Sequence, residues 1–402
     1  MELKKCKLGE ILDVTRGASL SGEFYATEGK YIRLTCGNFD YQNNCFKENK
    51  SKDNLYYIGD FKPEFLMEEG DIITPLTEQA IGLLGSTAII PESGKYIQSQ
   101  DVAKIICKEK LLYKDFAFYL ISSTLVKQQL SAAAQQTKIR HTSPDKIRDC
   151  TVWIPELTAQ KRIGKLLRSL DRKIELNRAI NQNLEAMVKQ LYDYWFVQFD
   201  FPNEEGKPYK SSGGEMVWNE KLKRFIPKGW ESTTLGNECQ MYQPKTLGLS
   251  ELDESAKYKV YGANGVIGKY HTYNHENSEI AMACRGNSCG TVNRTAPFSW
   301  ITGNAMVIKM IDDLIHNEYI KQALQYANID GAISGSGQPQ LTRENLNSIK
   351  LCKPTRELII CFSEQVSNII KMYLQNESNI EGLTRQRDEL LPLLVNGQIT
   401  IE

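Results

Sequence analysis

The sequence has no run of about 18 apolar residues, so no segment is predicted to cross a membrane as a helix. Its first residues, Met1-Glu2-Leu3-Lys4-Lys5-Cys6, lack the apolar stretch of an export signal. The ten cysteines are scattered without a tight framework. With no export signal they read as reduced thiols of a cytoplasmic protein. An excess of one charge is missing too: 49 Lys and Arg balance 49 Asp and Glu. A nonspecific coat for nucleic acid should be basic, whereas a sequence reader can gather a few cations at one face, so the balance decides neither.

Catalytic sets are also missing. No Asp/Asn-Pro-Pro-aromatic tetrad of an amino-methyltransferase is present, and no cofactor-binding glycine loop follows a first strand. No convincing cluster of acids with a lysine suggests a nuclease. The stretch Gly262 to Lys269 superficially suggests a phosphate loop. Its glycine spacing is wrong, and Tyr270 stands where Ser or Thr must hold magnesium. His271, His275, Cys284 and Cys289 could suggest zinc, but neither order nor spacing is usual for it. The isolated chain is therefore expected to catalyse nothing, and to hold no metal or cofactor.

The chain has 402 residues, too many for one ordinary core, and two to three domains are expected. The most regular stretch is Leu157 to Trp195, which has no proline and only one glycine, Gly164. One seam runs Ile163, Leu170, Asn177, Leu184, Leu191, and another Leu167, Ile174, Asn181, Val188, Trp195. This heptad pattern predicts one long helix seeking another. At roughly 1.5 Å per residue it would be about 60 Å long.

A partner lies in the same chain. Aligning Pro155 with Pro354 turns the seams into Phe362, Ile369, Asn376, Leu383, Leu390 and Val366, Tyr373, Ile380, Arg387, Leu394. Asn177 falls on Asn376. A polar residue in an apolar seam can set register, so Asn177 and Asn376 are candidate register residues. Two unrelated core helices sharing a period is the alternative. Pro392 should end or kink the second helix near Leu391.

Residues 1–156 read as one globular unit. Its strand-like runs are Tyr31–Leu34, Asp71–Thr74, Thr87–Ile90 and Val102–Cys107, and Tyr113–Leu130 reads as one amphipathic helix. Phe116, Leu120, Leu125 and Leu130 are core candidates. The long helix occupies 157–199, and a loop-rich connector follows at 200–230. Phe201, Tyr209, Trp218 and Phe225 make that connector too aromatic for a free tether, so it is expected to lie against folded protein. A second unit, 231–354, echoes the first: Leu235-Gly236 matches Leu8-Gly9. In both units a strand and a helix precede a polar loop, and the second long helix occupies 355–402. The chain is a tandem repeat of globular unit plus long helix. Two unlike units held by a helical strut suit reading two things at a fixed separation, and one duplex turn is about 34 Å.

With these features the chain resembles the DNA specificity subunits of type I restriction–modification systems over essentially its full length. The most specific marker is the connector Gly206-Lys207-Pro208-Tyr209-Lys210-Ser211-Ser212-Gly213-Gly214, continuing to Ile226-Pro227-Lys228-Gly229-Trp230. Val260 to Gly268, Arg285 to Val292 and Gly335 to Thr342 add to it. The resemblance implies a mixed α/β (α+β) fold. Two globular target-recognition domains are separated by two long helices in an antiparallel coiled coil, as a pseudo-twofold tandem repeat. Each domain would read one half of a bipartite site on double-stranded DNA. The partners implied are two adenine-N6 methyltransferase subunits and restriction subunits. S-adenosylmethionine, ATP and Mg2+ would be used by those partners.

The polar loops before each long helix are the leading candidates for DNA contact: Lys138, Arg140 and His141 in the first, Gln338 and Gln340 in the second. Arg or Lys pairs with guanine, and Gln or Asn with adenine. Gly335 and Gly337 would let backbone approach phosphate. Arg285 and Asn287, at a strand-to-loop junction after Glu279–Cys284, suit base edges or phosphates. Arg16 and Asn264 are weaker candidates. Solvated surface loops are the plain alternative for each. The rival functions are an adaptor that binds only proteins, and a standalone nuclease or methyltransferase.

Overall fold

The computed structural model describes residues 2–50, 53–78, 82–133, 140–286, 288–335 and 337–401. The chain forms two compact units, Met1–Leu176 with Asn379–Glu402, and Asn177–Ser378. Each unit therefore takes part of both long helices, Leu157–Tyr192 and Arg356–Val395. The first helix ends in a π-helical turn, Asp193–Val197.

In the first unit a four-stranded antiparallel sheet runs Ala88–Ile89, Ile72–Pro75, Val102–Cys107, Leu12–Arg16. The first three match expected strands to within about a residue, and Leu12–Arg16 is a strand the sequence did not suggest. A second sheet places Tyr31–Arg33 between Tyr96–Ile97, which is parallel to it, and Tyr56–Tyr57. Lys4–Lys7 pairs with Thr151–Ile154 and brings the ends of the globular part together. The expected helix Tyr113–Leu130 is two, Lys114–Ile121 and Thr124–Ala133. Ser122 and Ser123 break it. Their hydroxyls donate to the carbonyls of Phe118 (3.1 Å) and Leu120 (2.6 Å), local bonds that compete with helical ones. Phe116, Leu120 and Leu130 are buried. Leu125 is only half-buried, because the break turns Val126 inward instead.

The second unit repeats this plan. Its sheet runs Val292–Arg294, Ile280–Ala283, Ala305–Met310, Cys239–Tyr242, again antiparallel. Tyr258–Gly262 lies between Gly265–Tyr270 and a parallel Trp300–Ile301. Glu231–Thr234 pairs with Lys350–Lys353. The connector holds a hairpin, Met216–Asn219 with Arg224–Pro227, where the sequence suggested loop. Phe201 stacks on Tyr209 at 4.7 Å and on Trp230 at 5.3 Å, as an ordered segment should. Trp218 and Phe225 differ: they lie exposed, edge to face with each other.

Within each unit the long helices pack antiparallel through the seams. In the first, Ile163 and Leu167 share a core with Leu394 and Val395. The helix runs through Pro392, and Leu394 is fully buried, contrary to the expected stop near Leu391. A proline so near the end removes one backbone bond, which the buried last turn outweighs. Arg387, a cation in the seam, is buried with its Nη1 2.9 Å from Asp171 Oδ1. Tyr119 Oη donates to Asp171 Oδ2 at 2.5 Å. In the second unit Val188, Tyr192, Trp195 and Phe196 share a core with Phe362, Val366 and Ile370. Asn181 is the buried polar residue of this seam. Its amide donates to Glu377 Oε1 (2.8 Å) and to the Tyr373 carbonyl (3.3 Å). Asn177 and Asn376 are half-buried on their helices.

Two outcomes follow. Helix propensity alone says that Gly164→Ala should stabilise by about 1 kcal/mol. A Cβ there would sit 2.8 Å from the Phe116 backbone nitrogen. We therefore expect urea unfolding to show a loss of about 1–3 kcal/mol, the usual cost of overpacking. Asp171→Ala should cost about 3 kcal/mol, because it leaves the buried Arg387 with only the exposed carboxylate of Asp388 and a long, 3.4 Å bond to the Asn43 carbonyl. The triple variant Tyr119→Phe/Asp171→Leu/Arg387→Met should recover most of that loss in the same experiment.

Candidate nucleic-acid interface

At one end of the main sheet in the first unit, Ile72–Pro75 continues into a two-residue strand, Thr77–Glu78. It pairs with Arg140–His141, so that Arg140 faces Glu78 and His141 faces Thr77. The loop chosen from sequence is thus stitched to the sheet, and Thr142 N–H donates to the Leu76 carbonyl at 2.9 Å. Arg16 ends the neighbouring edge strand opposite Ala103. Its Nε donates to the Gln100 carbonyl at 2.9 Å. Thr77 Oγ1 lies 3.4 Å from Asp101 Oδ1 and 3.4 Å from His141 Nδ1. Arg16, Arg140 and His141 therefore occupy one rim of this unit. Lys138 lies outside the described residues.

The second unit builds the same rim from different side chains. Ile280–Ala283 continues to Arg285, which pairs with Gln340 in an isolated bridge, and Gln340 pairs back onto Ser334. Leu341 N–H donates to the Cys284 carbonyl at 2.9 Å, as Thr142 does to Leu76. Gly286 N–H donates to the Pro339 carbonyl at 3.1 Å. Arg285, Gln338 and Gln340, picked from two separate stretches, are exposed on two loops that are hydrogen-bonded together. Asn287 lies outside the described residues. Asn264 is exposed at the two-residue tip of the Tyr258–Tyr270 hairpin, in the smaller sheet rather than in the paired loops.

One rim residue escaped the sequence reading. Gln243 follows the edge strand Cys239–Tyr242, and its Nε2 donates to the Gly303 carbonyl at 3.1 Å. Arg16 makes the matching bond to Gln100 in the first unit. The signal was present: continuing the match of Leu8-Gly9 with Leu235-Gly236 residue by residue sets Arg16 on Gln243. Gly335, at φ +86°, closes its own loop, since a Cβ there would meet the Gln338 carbonyl oxygen at 2.6 Å. Gly337 has open space around it.

Titratable groups here serve the fold. Burial pushes the Cys284 thiol up to about 11. His275 is buried, with Nε2 2.9 Å from the Tyr242 hydroxyl and Nδ1 2.6 Å from Asn274 Oδ1. His271 is exposed beside Asp253. Among the described residues no three His, Cys, Asp or Glu side chains are grouped to hold a metal. Nor is any helix among them long and apolar enough to cross a membrane.

Comparison with known proteins gives a family. The description "type I restriction modification DNA specificity domain" matches twice, over residues 1–186 and 227–373, one stretch in each repeat. The chain is 22% identical over 328 residues to the type I restriction enzyme MjaIX specificity subunit of Methanocaldococcus jannaschii, covering 76% of this chain and 73% of that one. It is 23% identical over 380 residues to the HindI specificity subunit of Haemophilus influenzae, covering 76% and 81%. The S subunit of the type I restriction–modification system from M. genitalium shares the fold: TM-score 0.63 at 18% identity, over 98% of this chain and 96% of that one.

Gly335→Ala tests the loop closure. Strain of roughly 1–3 kcal/mol should open the Ser334–Gln340 pairing. Hydrogen exchange at the Gln340 amide should quicken by roughly ten-fold or more, while the thermal midpoint barely moves.

Proposed function

Since the chain belongs to the type I restriction–modification DNA specificity family, we propose that it is the non-catalytic reader of a bipartite site on double-stranded DNA. Each unit contacts one half-site through its sheet-end rim. The first uses Arg16, Arg140 and His141 with Lys138, and the second uses Arg285, Gln338 and Gln340 with Asn287 and Gln243. Phosphate contacts set position and base contacts specify. The helices dock two methyltransferase subunits, with which restriction subunits assemble. The reader directs adenine-N6 methylation and restriction, while S-adenosylmethionine, ATP and Mg2+ act in those partners.

The observation that carries this reading is the coincidence of the rims. Loops chosen for their side-chain chemistry occupy the same hydrogen-bonded place in two units of one strand order but different side chains. Duplicated scaffolds with unlike rims are what two independent half-sites require. An adaptor that binds only proteins has no need of that placement.

Methylation mapping in a host carrying the methyltransferase tests it. Replacing residues 1–156 with those of a relative should change one half of the methylated motif. A change in both halves would sink independent reading. Arg285→Ala should either cost about 1–3 kcal/mol of discrimination at one base pair, or weaken all sequences alike and lower the salt slope by about one. Failure of the chain, with methyltransferase present, to shift any genomic fragment in a gel would favour the adaptor.

A further inference from the structure

The two arginines on the rim of the first unit are not free cations. Arg16 is tethered by its Nε to the Gln100 carbonyl at 2.9 Å. That bond leaves its two terminal nitrogens as a fork on an exposed side chain. Arg140 is held at one nitrogen, Nη1, which donates to Ser131 Oγ at 2.8 Å and lies 3.5 Å from Glu78 Oε2. Among the described residues its other edge, Nε with Nη2, has no hydrogen-bond partner, on a side chain that is 38% exposed. Glu78 beneath it is buried, and its second oxygen accepts the Gly82 N–H at 2.9 Å and the Leu84 N–H at 3.4 Å. The carboxylate is therefore pinned to backbone before it meets the guanidinium.

A phosphate contact needs only charge. A base contact needs a planar pair of donors held in a set direction, which is where arginine differs from lysine. Paired N–H groups of this kind match O6 and N7 of guanine in the major groove. Holding the fork before binding also reduces the rotamer entropy lost on binding.

Resting on the DNA-reading function above, we propose that the half-site of the first unit contains two guanines, one read by Arg16 and one by Arg140, with Glu78 the positioning residue for Arg140. The second unit differs. Its rim carries one arginine, Arg285, among amides at Gln243, Gln338 and Gln340, and at the place of Glu78 stands Gly286, with no carboxylate to offer.

Lysine substitutions separate fork from charge. In the full chain with its methyltransferase, Arg16→Lys and Arg140→Lys should each relax one guanine of the same half of the methylated motif. Discrimination there should fall roughly 5- to 150-fold, the range for one bidentate pair. The salt dependence of binding should stay as in the parent, because the charge is kept. Glu78→Gln should loosen the same position as Arg140→Lys and leave the Arg16 position strict, with thermal stability followed alongside. A merely structural role for Glu78 would instead lower stability or binding to all sequences without altering the motif. If both lysine variants methylate the parent motif with undiminished discrimination, the inference is overturned while the reader function stands. If the parent chain recognises no DNA, the reader function itself is lost.

Discussion

Burying the seams of the two long helices is the constraint on which the rest depends. A helix the length of Leu157–Tyr192, with apolar residues every three to four positions, cannot leave that stripe in water, and a second helix of matching period covers it most economically. In each unit the seam does more than close on itself. Ile163 and Leu167 merge into the core beneath the first sheet, and Val188, Tyr192 and Trp195 into that beneath the second. Globular part and helix pair thus share one core within each unit.

The polar residues in these seams show how similar helices acquire distinct roles. Arg387 and Asp171 form a buried ion pair in the first unit, further tied to Tyr119 on the helix behind the sheet. Their counterparts in the repeat, Val188 and Ile370, are both apolar and both buried. In the second unit Asn181 reaches across to Glu377 instead. Such contacts cost desolvation and gain direction, since the paired groups meet in only one register.

The rims carry the same lesson outward. Hydrogen bonds at the sheet ends are repeated between units: the backbone bonds of Thr142 to Leu76 and Leu341 to Cys284, and the side-chain bonds of Arg16 to the Gln100 carbonyl and Gln243 to the Gly303 carbonyl. The side chains supported by that backbone are not repeated. A repeated scaffold under unlike side chains separates stability from recognition, so that one can vary without the other.

Periodicity and spacing determined much of this protein. The long helices, the seams, the strands around Ile72 and Val102 and the tandem order were legible because each rests on interactions local in sequence. So was the chemical character of the rim loops. Tertiary structure alone decided what depends on distant partners. Leu394 stays helical past Pro392 because its burial outweighs a lost backbone bond. Trp218 and Phe225 remain in solvent although the other aromatics of the connector pack together. Arg285 meets Gln340 only because two loops far apart in the chain share a bridge. Gln243 has no local pattern of its own: only the repeat match to Arg16 marks it in the sequence, and the sheet that sets it beside the paired loops gives that match its meaning.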